Sequence, residues 1–187
     1  MAKFTQQVLV ILAALFFLPS CTYFRSSRQS NNLPPTPLPQ STNRLPAPTG
    51  FVNDYANVID VESKSRLESL FTTLKAKSNI EFAVVTVDTT KGEPISDYSL
   101  AVAREWGIGP KNPAEGGGLL LMLAIKDRQW RLQVSRSLEK DLPNDVSQKL
   151  AEPSVEFYKA GNYGAGIEKY ATALINRLEK QRNFSIE

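Results

Sequence analysis

Four aspartates and one arginine are the residues best placed to do chemistry in this chain: Asp54, Asp88, Asp97, Asp127 and Arg128. The 187 residues contain no histidine and one cysteine, Cys21. The folded region therefore lacks a Ser-His-Asp triad, a histidine or cysteine nucleophile and the usual zinc ligands. Catalysis would rest on carboxylates, hydroxyls, Lys/Arg or a hard metal. Oxygen ligands without imidazole suit Ca²⁺ or Mg²⁺, and clustered carboxylates repel until a cation neutralises them. Arg128, beside Asp127, suits a phosphate oxygen or is an exposed turn charge. Each aspartate also has a plainer role: Asp88 ends a strand, Asp97 favours a helix N-terminus, Asp127 forms a turn, and Asp54 caps or turns the chain.

The elements that would gather them are legible from periodicity. Asp60 caps a helix whose Leu67, Leu70, Phe71 and Leu74 share one face. Residues 80–88 are rich in β-branched side chains and read as a mostly buried strand. Pro94 opens a second helix with Ile95, Tyr98, Val102 and Trp106 inward, stopped by Gly107 and Gly109-Pro110. Residues 118–125 form an apolar strand, 126–129 a tight turn, and 130–135 a strand with Leu132 and Val134 inward and Arg131 and Gln133 outward. A helix over 143–160, bent at Pro153, precedes a last helix striped by Ile167, Tyr170, Ala171, Leu174, Ile175 and Leu178. A short strand fits at Phe51-Val52. Helices covering a small mixed sheet make this an α/β fold. Parallel pairing of 80–88 with 118–125 puts Asp88 and the 126–129 turn at the carboxyl edge, with Asp54 and Asp97 beside them, where α/β folds take ligands. Gly116-Gly117-Gly118 lacks the Lys-Ser/Thr of a P-loop and reads as a flexible loop entering a strand.

Upstream, Lys3, an apolar run from Val8 to Leu18 and Pro19-Ser20 before Cys21 describe a secretory signal over 1–20. The run is about half the roughly 20 apolar residues needed to span a bilayer. Leu18-Pro19-Ser20-Cys21 resembles a bacterial lipobox, which implies lipidation (palmitate and related acyl chains) at Cys21 and a membrane-anchored, exported lipoprotein. Thr22 after that cysteine resembles the outer-membrane sorting pattern of a Gram-negative cell, facing the periplasm. Residues 21–48 are a Pro-rich basic tether reaching up to roughly 80 Å at ~3.1 Å per residue. The whole chain carries 22 basic and 19 acidic residues, net +3. Lys3, Arg25, Arg28 and Arg44 hold four of the positive charges, which leaves 18 basic against 19 acidic residues, or −1, for the domain at 49–187. The basic balance is therefore no argument for nucleic acid. It favours anionic headgroups beside the lipid.

Five stretches in order resemble the TPM domain family: 50–59 (GFVNDYANVI), 82–87 (FAVVTV), 104–109 (REWGIG), 118–128 (GLLLMLAIKDR) and 157–163 (FYKAGNY). The resemblance implies a three-layer α/β/α sandwich, frequent membrane tethering, roles in membrane-protein maintenance, and metal-binding or acid-phosphatase activity for some members. Two departures stand out. Ser135-Arg136-Ser137-Leu138-Glu139 replaces a common Gly-Tyr-Gly-Leu-Glu, and Asn162 stands where Asp is common. With no histidine or thiol to act as base, the sequence favours a non-catalytic envelope lipoprotein that binds or maintains a membrane protein and carries a Ca²⁺ or Mg²⁺ site. A divalent-metal-dependent acid phosphatase is the alternative.

Overall fold

The computed structural model describes residues 45–112, 114 and 116–186, and β-branched and apolar side chains build its regular elements. Strand β1 (Val52–Asp54) leads to α1 (Val61–Ser78), β2 (Ile80–Val87), α2 (Ile95–Trp106), β3 (Gly117–Ala124) and β4 (Gln129–Val134). Helices α3 (Asn144–Lys159) and α4 (Tyr163–Arg182) close the chain. The expected signal (1–20), Cys21 and the tether as far as Arg44 lie outside the described residues. Leu45 packs with the domain, and Tyr55 Oη donates to Pro46 O at 3.2 Å, so domain contacts begin slightly before residue 49.

The sheet runs β1-β2-β3-β4, with the first three strands parallel and β4 antiparallel to β3. All eight residues of β3 are buried because the strand is interior and both faces are covered. Its period-two alternation divides two cores. Leu119, Leu121 and Leu123 face Phe71, Phe82, Tyr170 and Leu174 in the layer with α1 and α4. Leu120, Met122 and Ala124 face Tyr98 and Val102 of α2. The result is an α/β/α sandwich around a small mixed sheet.

Local signals explain most boundaries. Asp60 accepts from Ser63 N at 2.8 Å and starts α1. Gly107 takes φ +64 and ends α2. α3 continues through Pro153 to Lys159. Every residue of the stripe expected on α4 is buried.

Two local expectations change. β3 begins at Gly117, one residue before the expected strand start at Gly118, so Gly117 belongs to the sheet rather than to a flexible loop. A Cβ at Gly118 would meet Ile108 O at 2.5 Å, so close backbone approach explains that glycine. Gln133 is not a solvent-facing residue. Its Nε2 donates to Ser96 O at 2.9 Å and Ser99 Oγ at 2.8 Å, which ties β4 to the first turns of α2.

Candidate binding cleft and the carboxyl edge

Asp54 is the last residue of β1, in register with Thr86 of β2. Its carboxylate accepts from Val58 N at 3.2 Å, Ile59 N at 2.9 Å and the Thr86 hydroxyl. It therefore closes the loop leading to α1. Asp127 does the same on the other side of β2. It accepts from Thr89 Oγ1 at 2.8 Å, Thr90 N at 2.8 Å and Thr90 Oγ1 at 3.2 Å, clipping the β3–β4 turn to the loop before α2. The Thr90 N–H, followed by the Thr89 hydroxyl, holds the Asp127 carboxyl below the usual aspartate range.

Asp88 follows β2 directly and pairs with Lys126 Nζ at 3.0 Å, both side chains being largely exposed. Asp97 sits in the first turn of α2, within 3.4 Å of the neighbouring Ser96 hydroxyl. Asp54, Asp88 and Asp127 thus reach the carboxyl edge as the topology requires, whereas Asp97 rides on α2, away from Asp54. Ser96 is held by Gln133, which lies opposite Leu120 in the first half of β3. The first turn of α2 therefore hangs over β4, and β4 is three strand spacings from β1, roughly 14 Å at ~4.8 Å each. The seven-residue connection 88–94 makes this displacement possible, and helix periodicity alone gives no sign of it.

No group of three or more acidic, cysteine or histidine side chains among the described residues is arranged to hold a metal ion. The oxygens of Asp54 and Asp127 are already turned towards hydrogen-bond donors. Among the described residues, these carboxylates therefore do not stand as a ready Ca²⁺ or Mg²⁺ centre.

Arg128 comes next in the turn, at φ +54, a left-handed conformation unusual for arginine. It stands at a cleft of about 590 Å³ between the hairpin and the α3–α4 junction. Trp130, Tyr158, Tyr163, Lys159 and Gly161 also line this space. Trp130 packs edge-on to Tyr170, with ring centres 5.6 Å apart. Tyr158 stacks with Tyr163 at 6.1 Å. The aromatic walls and Lys159 fall in the stretch 157–163 and at position 130. Their joint placement depends on α3 folding back over the hairpin, which no spacing in the sequence reveals.

The replaced segment 135–137 forms an ordinary turn. None of its residues takes a positive φ, so glycine is not required there. Ser135 Oγ accepts from Gly118 N at 2.9 Å and lies 3.0 Å from Ser137 Oγ. Asn162 precedes α4, and its side chain makes no capping bond.

Residues 52–177 match the TPM domain family model. Among solved structures, the N-terminal domain of a P. gingivalis protein is 28% identical, with a TM-score of 0.62 over 71% of this chain and 84% of that one. The N-terminal domain of the C. glutamicum protein cg2496 is 17% identical, with a TM-score of 0.51 over 70% and 85%, and shows the fold alone. No curated protein matches the chain.

Proposed function

The chain belongs to the TPM domain family, and on that premise we propose that it is a lipid-tethered envelope protein whose domain binds and maintains membrane proteins without catalysing a reaction. The observation that carries this reading is the contrast between the two features of the carboxyl edge. Asp54 and Asp127 close loops, whereas the cleft beside them offers aromatic walls and an arginine. Such a surface is suited to recognition and contains no paired acid and base. Lipidation at Cys21 would hold the domain within tether reach of the membrane. In a Gram-negative cell, Thr22 directs it to the periplasmic face of the outer membrane.

The family model is named TPM_phosphatase, and a divalent-metal-dependent acid phosphatase is the second reading. Purified full-length chain in a non-ionic detergent is assayed on a chromogenic phosphomonoester with Ca²⁺, Mg²⁺ or chelator. Turnover equal to the protein-free blank under all three conditions is expected. Metal-dependent turnover abolished by both Asp54→Ala and Asp127→Ala, with both variants folded, would establish the phosphatase reading instead.

A further inference from the structure

We propose that the cleft at the β3–β4 turn is a binding site for a single carboxylate carried on an apolar or aromatic stem, with Arg128 receiving the carboxylate. This goes beyond the binding role above and does not depend on whether the domain maintains membrane proteins.

Three independent features of the cleft lead to this ligand. The first is an unshared cation. The Arg128 backbone N–H donates to Ile125 O at 3.2 Å, but its guanidinium makes no hydrogen bond or ion pair among the described residues, although Asp127 is its neighbour in sequence. Asp127 is unavailable because Thr89 and Thr90 hold it. Arg128 also keeps a backbone conformation that glycine or asparagine would adopt more easily. A strained position occupied by a free guanidinium points to a task for the side chain rather than for the turn.

The second feature is the charge count. Lys159 is the other cation at the cleft, and Glu156 Oε1 already meets its Nζ at 2.7 Å. Arg128 is therefore the cation lining the cleft that no carboxylate pairs among the described residues. A monoanion satisfies it, whereas a phosphate monoester brings nearly two negative charges and three acceptor oxygens. The fork of a guanidinium matches the two oxygens of a carboxylate.

The third is the wall. Trp130, Tyr158 and Tyr163 offer apolar ring surface, and Gly161 adds no side chain to fill the space. The Tyr158 hydroxyl is buried and has no hydrogen-bond partner. Burial pushes its pKa up, so it remains an O–H donor at neutral pH. That donor belongs to a residue lining the cleft, and a ligand acceptor, or a water brought with it, that reaches the hydroxyl would satisfy it. A cavity of about 590 Å³ accepts an aromatic acid or the last two residues of a polypeptide.

Both sources share the same chemistry, and the titration separates them. Full-length chain in a neutral detergent is titrated calorimetrically with 3-phenylpropionate, N-acetyl-Leu-Phe as free acid, its C-terminal amide, and phenyl phosphate. The free acids are expected to bind at least tenfold more tightly than the amide and than phenyl phosphate. A dipeptide acid preferred over phenylpropionate assigns the site to polypeptide C-termini; the reverse order assigns it to small acids. Arg128→Gln is expected to lose at least tenfold in affinity. Arg128→Gly is expected to lose the same affinity while raising Tm, because glycine relieves the positive φ. Equal binding of acid and amide, preference for phenyl phosphate, no binding of either acid, or unchanged affinity in folded Arg128→Gln would overturn the proposal.

Discussion

Replacing Asp54 by alanine separates a loop-closing carboxylate from a metal ligand. The wild-type carboxylate accepts two backbone N–H groups, from Val58 and Ile59, and the Thr86 hydroxyl. Each such bond contributes a net ~0.5–1.5 kcal/mol, so three bonds total about 2–4 kcal/mol. Val58 and Ile59 are only half-buried, and water recovers part of the loss for their N–H groups. A destabilisation of about 2 kcal/mol is therefore expected, with a fall in Tm of roughly 8 °C for a domain of this size. Asp54→Asn keeps one acceptor oxygen and should lose about half as much. The assay is differential scanning calorimetry of the full-length chain, once with chelator and once with millimolar Ca²⁺. The loss should be the same in both conditions. Wild-type Tm that rises with Ca²⁺, together with a variant indistinguishable from wild type in chelator, would refute the reasoning and make Asp54 a ligand.

Asp127→Ala should release the β3–β4 turn from the loop before α2, seen as faster hydrogen exchange at the Thr90 amide than at residues of β3. Because the folded carboxyl of Asp127 is depressed, its stabilisation is complete above the unfolded aspartate value of ~3.9 and is lost as pH falls through the folded value. The Tm difference between wild type and Asp127→Ala should therefore shrink below about pH 4. Gly117→Ala drives a Cβ into the fully buried Leu138 side chain and should cost ~1–3 kcal/mol in chemical denaturation, because neither partner has room to move. Tyr170→Phe removes the buried hydrogen bond to Ser147 O at 3.0 Å and should cost ~0.5–1.5 kcal/mol by the same measurement, because that carbonyl keeps its helical bond within α3.

The layers of the fold were legible because apolar periodicity differs between strand and helix. The uniformly apolar run 118–125 announced an interior strand, and the stripe from Ile167 to Leu178 announced the face of α4. Capping chemistry placed the start of α1 at Asp60 and the end of α2 at Gly107. The candidate site was legible only as far as topology carries. Parallel strands put Asp54, Asp88 and Asp127 at one edge, but topology fixes neither how far a helix slides along the sheet nor which donors a carboxylate finds. Gln133 holding Ser96 places Asp97 away from Asp54, and Thr86, Thr89 and Thr90 occupy two of the carboxylates expected to meet a cation. These threonines sit within or just after a buried strand, where their sequence signal is that of β-propensity. The cleft depends on α3 and α4 folding back over the hairpin, a long-range contact with no local signature.

A strain lacking this gene, complemented with full-length variants and followed by quantitative proteomics of its membrane fraction, tests the central claim most directly. Wild-type chain should restore the membrane proteins depleted by the deletion. Asp88→Asn/Asp97→Asn, which alters two surface carboxylates outside the loop closures, should restore them equally, and Cys21→Ser should not. Full restoration by Cys21→Ser, or failure of the folded double aspartate variant, would contradict a tethered, non-catalytic role.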